Sequence, residues 1–106
     1  MTSQRPIQDA RLDEAVHRLA ESLHPRAIIL FGSRARGTNQ PDSDYDLLVI
    51  SEQLRDYDEV HKPLVGSGIS CDVVPCTVEA WEEGNLDAGG VLRDARDEGI
   101  LLYGQP

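Results

Sequence analysis

Five consecutive apolar residues at 27–31, Ala-Ile-Ile-Leu-Phe, stopped by Gly32, constrain the fold more than any other stretch of this chain. So short a run without polar alternation predicts a strand buried on both faces, and the sheet that holds it needs a layer on either side. The flanking segments offer those layers. From 7 to 23, Leu12, Ala15, Val16, Leu19, Ala20 and Leu23 recur at three and four residues, which predicts an amphipathic helix closed by Pro25. The 37–43 segment, Gly-Thr-Asn-Gln-Pro-Asp-Ser, is a concentrated turn signal before a second predicted strand at 44–50. A helix is predicted over 53–64 from Leu54, Tyr57, Val60, Leu64 and Val65, broken by Gly66-Ser67-Gly68. Residues 69–76 read as a third strand, in which Pro75 marks an unpaired end or an edge. Thr77 begins a short capped helix through Glu83, and a last helix near 91–98 is predicted to end on Gly99 as a left-handed cap. Residues 100–103 close the chain with a short strand. This alternation predicts a single α/β domain over 1–106, with a small mixed sheet flanked by helices.

With 106 residues the chain supports one core, so any site is built within one small domain. The net charge of −9, from 19 acidic and ten basic residues, argues against a nucleic acid substrate and suits a basic protein partner. The longest apolar runs are too short to span a membrane, and the first thirty residues contain no continuous apolar segment with a cleavage site, which predicts a cytoplasmic protein. Cys71 and Cys76 are an odd number of positions apart, on opposite faces of the predicted strand, and read as reduced core residues.

Two short constellations carry chemistry. Gly32 and Ser33 follow the buried strand. Without a Cβ, Gly32 lets a phosphate approach the backbone, while the Ser33 hydroxyl and the following amides can donate to its oxygens. Arg34 and Arg36 add positive charge beside the same anion. Alone, such a pair reads as a turn with a serine N-cap and two solvated arginines. Asp44 and Asp46 share a strand face with Leu48 and Ile50, their Cβ atoms about 7 Å apart, and can reach one hard cation or bracket two. An isolated Asp-x-Asp would instead be turn chemistry. Asp72 supplies a third carboxylate inside an apolar strand, where an unpaired charge is costly, and converges with the other two if its strand lies alongside. The plainer alternative is an edge-strand aspartate facing water. Asp56 and Asp58 are weaker candidates on an exposed helix face. His17, His24 and His61 fall on helix surfaces or ends without metal spacing, Lys62 reads as solvated, and Trp81 reads as a packing residue.

Gly32-Ser33, ten intervening residues, Asp44-Tyr45-Asp46 followed by Leu47-Leu48-Val49, and the later Asp72 together resemble the nucleotidyltransferases of the DNA polymerase beta superfamily, especially their minimal stand-alone branch. The resemblance implies transfer of a nucleoside monophosphate from an NTP, ATP in the first instance, to a hydroxyl. Asp44, Asp46 and Asp72 would be the catalytic residues and the ligands of two Mg²⁺ ions, and Gly32, Ser33, Arg34 and Arg36 would bind the nucleotide. Larger relatives form the acceptor site with an additional helical domain, for which this chain has no room. Minimal relatives are commonly paired with a small helical HEPN toxin, which they adenylylate on a tyrosine as its antitoxin. A toxin-neutralising binding module without catalysis, and transfer to a small molecule, are the alternatives.

Overall fold

The computed structural model describes residues 9–83 and 90–106, so the predicted helix start at 7–8 lies outside the described residues. Helix α1 (Ala10–Leu23) starts at Asp9, whose carboxylate accepts from the Arg11 and Leu12 amides. It buries Leu12, Ala15, Leu19 and Leu23 on the sheet. Truncating a side chain as enclosed as Leu19 costs about 2–5 kcal/mol in comparable cores. The helix stops on His24, a non-glycine residue at φ 47°, directly before Pro25.

Strands β1 (Ala27–Phe31), β2 (Tyr45–Ser51), β3 (Cys71–Thr77) and β4 (Ile100–Gly104) form a mixed sheet in the order β3-β2-β1-β4. As the apolar run requires, every residue of β1 is buried. It is nevertheless antiparallel to both neighbours, and among the described residues the one parallel pair is β2 with β3. What buries β1 twice is therefore its central position between two helical layers. On one face α1 covers Ile28, Leu30, Leu47, Val49 and Val73. On the other, helices α4 (Val78–Glu83) and α5 (Val91–Glu98) bring Trp81, Leu92 and Ala95 against Ile29, Leu48 and Ile50. Trp81 packs as expected and carries the Arg96 guanidinium 4.3 Å from its ring centroid. Cys71 and Cys76, both reduced, lie against opposite layers.

Two expectations are corrected. The helix predicted over 53–64 is only α3 (Tyr57–His61) followed by a 3-10 turn, Lys62–Leu64. Asp56 caps α3 through the Glu59 amide, and Pro63 cannot continue an α-helical ladder. Val60 and Leu64 are buried, whereas Leu54, Tyr57 and Val65 are exposed. Gly99 has φ −70°, so it is not a left-handed cap. Space selects glycine there: a Cβ would run into the Ala95 carbonyl and come within 2.6 Å of Ile29 Cγ2.

His61 ends α3 with its ring stacked on Tyr57 at 4.0 Å. Its Nε2 accepts the Val73 amide of the outer strand β3 at 3.1 Å, and Nδ1 lies 2.8 Å from the Tyr57 carbonyl. That pair of contacts suits the neutral Nδ1–H tautomer, with Nδ1 donating.

Candidate active site

The turn after β1 is unusual backbone. Gly32 has φ 78° and ψ −157°, a region essentially closed to side chains, and is the N-cap of the single-turn helix α2 (Ser33–Arg36). A Cβ on Gly32 would also collide with Asp46 Oδ2. The glycine is thus demanded twice, by torsion and by the carboxylate lying against it. Ser33 is the first helical residue and not the cap, so its hydroxyl is not spent on holding the helix. The Ala35 and Arg36 amides turn back onto the Gly32 carbonyl, while those of Ser33 and Arg34 stand at the open end of the turn.

β1 and β2 place Phe31 opposite Asp46, and the parallel β2–β3 pair places Asp46 opposite Asp72. The row Phe31–Asp46–Asp72 therefore crosses three strands on the α4/α5 side, continuing into Gly32. Asp44 precedes β2 and accepts the Ser70 hydroxyl at 2.5 Å. The three predicted acids are brought to one corner of the sheet. Asp72, however, is exposed near the start of the outer strand β3 and not enclosed in the apolar interior, whereas Val73 after it is buried.

The electrostatics of that corner are unfavourable to the bare protein. Burial, then the charges of Asp72 and Asp44, raise the Asp46 carboxyl above its ordinary value, opposed by Arg36. Burial first and Asp44 second push the Cys71 thiol up to about 11. Among the described residues no three His, Cys, Asp or Glu side chains form a ready metal cage. The donor set nonetheless fits Mg²⁺: it is three hard carboxylates at the starts of the adjacent strands β2 and β3, and a dication would offset both the burial and the like charges that raise Asp46.

The two predicted arginines part company. Arg36 stays on the acid side, 2.9 Å from Glu98 at the end of α5. Arg34 turns to the opposite flank, where Nε donates to the Ser43 carbonyl at 2.9 Å and its terminal nitrogen donates to the Pro41 carbonyl at 3.1 Å. Its guanidinium lies 4.1 Å from the Tyr45 ring centroid. The Tyr45 hydroxyl donates to Asp9 at 2.6 Å. Burial raises the Asp9 carboxyl, but the Tyr45 hydroxyl, the Leu12 and Arg11 amides and the Arg34 charge outweigh it and hold the group low. Asp9, Tyr45, Ser70 and Glu98 were not among the residues chosen from sequence. Asp9 carries a local signal, an Asp just ahead of the apolar stripe, but its link to Tyr45 spans 36 positions. Of the other candidates, Asp56 is a helix cap and Lys62 opens the 3-10 turn. A cleft of about 550 Å³ opens near Arg26, Glu52, Leu54 and Arg55 at the far end of β2. Its arginines are already engaged with Glu52, Glu59 and the Leu23 carbonyl.

A glycine-serine turn against a row of acids on this sheet defines a class, and the family model for the nucleotidyltransferase domain matches residues 11–102, so the chain belongs to that family. Its fold is similar to that of a chain in a toxin-antitoxin with AMP-PNP, with a TM-score of 0.65 at 23% identity over 88% of this chain and 73% of that one. The toxin-antitoxin MntA-HpeT mutant gives 0.64 at 21% identity, again over 88% of this chain and 73% of that one. A candidate nucleotidyltransferase from Sulfolobus solfataricus gives 0.52 at 23% identity, over 91% and 79%. No curated protein matches the chain. Among the described residues no helix is long and apolar enough to cross a membrane.

Proposed function

We propose that this nucleotidyltransferase domain moves AMP from ATP to a tyrosine hydroxyl of a small helical HEPN-type toxin and acts as its antitoxin. The observation that carries the reading is the row Asp46–Asp72, with Asp44 beside it and Gly32 pressed against Asp46. In this reading Asp44, Asp46 and Asp72 hold Mg²⁺, two ions in the full complex. The bound metal supplies charge neutralisation for the triphosphate and lowers the pKa of the attacking hydroxyl.

The chain's own residues do the rest. The Ser33 hydroxyl and the amides at the open end of the turn hold the β and γ phosphates, and Arg36 exchanges Glu98 for a phosphate oxygen. Asp72 is open to solvent, which lets a hydroxyl on a second protein reach it and leave its proton there. The acceptor oxygen then bonds to the α phosphorus as the bond to pyrophosphate breaks. Positioning and charge account for most of such catalysis, and no covalent enzyme intermediate is needed.

Two relatives support the partner. One structural neighbour is a toxin-antitoxin with AMP-PNP, an ATP analogue. The other is a toxin-antitoxin mutant with two Asp→Glu replacements two positions apart, the spacing of Asp44 and Asp46. The test is to incubate the protein with ATP, Mg²⁺ and a small helical HEPN-type protein, taken from the neighbouring open reading frame where that encodes one, then weigh the partner intact. Gain of one AMP, lost in Asp46→Asn, is the expected result. An unmodified partner that is still neutralised by Asp46→Asn at equal stoichiometry would establish neutralisation by binding alone.

A further inference from the structure

The flank of β2 opposite the acids is built as a brace, and its geometry bears on Asp44. The 38–43 loop is closed on itself by the Ser43 amide on the Gln40 carbonyl and the Gln40 amide on the Ser43 hydroxyl. This small unit ends at the residue before Asp44. Arg34 grips it twice with one planar fork, through the Ser43 and Pro41 carbonyls. The same guanidinium lies on the ring of Tyr45, the residue after Asp44, and the Tyr45 hydroxyl is anchored on Asp9 at the start of α1. Asp44 is therefore held from the peptide before it and from the side chain after it, and Ser70 fixes the carboxylate itself. With Nε and one terminal nitrogen bound to those carbonyls and its plane on the Tyr45 ring, the guanidinium is committed to the loop flank of β2.

The geometry points to Arg34 as a positioning residue that sets Asp44 for metal, in concert with Tyr45 and Asp9, and not as a phosphate ligand. The role rests on the transferase reading only for its catalytic consequence. Lysine separates the two roles. It keeps the charge a phosphate needs, but it offers neither the in-plane fork nor the flat surface that stacks on Tyr45.

Arg34→Ala, Arg34→Lys and Tyr45→Phe are compared with wild type in three measurements: Mn²⁺ binding without nucleotide by electron paramagnetic resonance, amide exchange over 38–44, and transfer kinetics. Thermal melts identify any variant that fails to fold, and Tyr45→Phe then carries the comparison. Arg34→Ala and Arg34→Lys are both expected to weaken Mn²⁺ binding about tenfold, the usual loss when the support of a metal ligand is removed. Both should speed exchange in the loop and lower kcat with little change in the KM for ATP. Tyr45→Phe keeps the ring, so its loss should be about threefold. The assignment is overturned if lysine restores Mn²⁺ binding and kcat, or if Arg34→Ala leaves both unchanged while raising the KM for ATP. A wild type that binds Mn²⁺ but transfers nothing refutes the transferase reading, and the Mn²⁺ and exchange results still decide the brace. Should it bind no Mn²⁺, the metal reading fails, and unchanged loop exchange in Arg34→Ala refutes the brace as well.

Discussion

The two flanks of the β2 start, one residue apart in sequence, follow opposite rules. On the Tyr45 side hydroxyl, guanidinium, carboxylate and loop carbonyls are matched donor to acceptor over five residues. On the Asp46 side carboxylate faces carboxylate across two strands, and the backbone at Gly32 has been bared to make room. A matched network rigidifies, while an assembly of like charges costs stability until a cation enters it. The contrast distinguishes the part of the corner that holds shape from the part that awaits a ligand.

The sharpest way to break this contrast is Asp46→Asn. Transfer should fall on the order of a thousandfold, the scale on which losing a group that stabilises transition-state charge is felt. Yet the metal-free variant should melt higher than wild type. The sign follows from the raised carboxyl: the folded state binds that proton more tightly than the unfolded chain, so its stability is lost as pH rises through the window above the unfolded value. A lower melting point for Asp46→Asn at neutral pH would contradict the charge-repulsion account. Gly32→Ala comes next. Its Cβ is strained by φ and blocked by Asp46 Oδ2, so a loss of about 1–3 kcal/mol by chemical denaturation is expected together with much reduced transfer. Mg²⁺ at a hundredfold its dissociation constant should stabilise the wild type by about 2.7 kcal/mol and Asp46→Asn far less, as scanning calorimetry would report.

On the matched flank the effects are smaller and the pH sign reverses. Asp9 is held below its ordinary value, so its contribution to stability is present above the unfolded pKa and fades as pH falls through the folded one. Asp9→Asn should therefore flatten the acid limb of a stability-versus-pH curve while costing about 1 kcal/mol at pH 7. A limb of unchanged steepness would remove Asp9 from the account. As a separate chemical readout on the same flank, the Cys71 thiol, at about 11, should alkylate at pH 8 on the order of a hundredfold more slowly than an ordinary surface cysteine. Asp44→Asn should partly relieve that, tying the two flanks together through one charge.

Much of this was legible before the structure. The doubly buried β1, the opposite faces of Asp46 and Tyr45, and the sharing of a face by Ser70 and Asp72 follow from short-range periodicity, which a strand obeys strictly. The adjacency of β2 and β3 was not written in either strand, because the intervening 52–70 segment does not declare where it crosses. Strand order puts Asp72 on the outer strand, though that alone does not decide exposure, since Val73 beside it is buried. Apolar spacing over 53–64 overstates the helix, which the cap at Asp56 and the break at Pro63 shorten to α3. Proximity in sequence places Arg34 beside Ser33, whereas its hydrogen bond to a loop carbonyl nine positions away is not readable from spacing.

His61 has a consequence beyond its own neighbourhood. An outer strand beside a row of acids would ordinarily invite a second chain to pair along it, whether as a partner peptide or as the first contact in aggregation. With the Val73 amide already given to the imidazole, that template is interrupted at the residue after Asp72. A strand added along this edge would find the Val73 amide already donated, so continuous pairing along β3 is broken there.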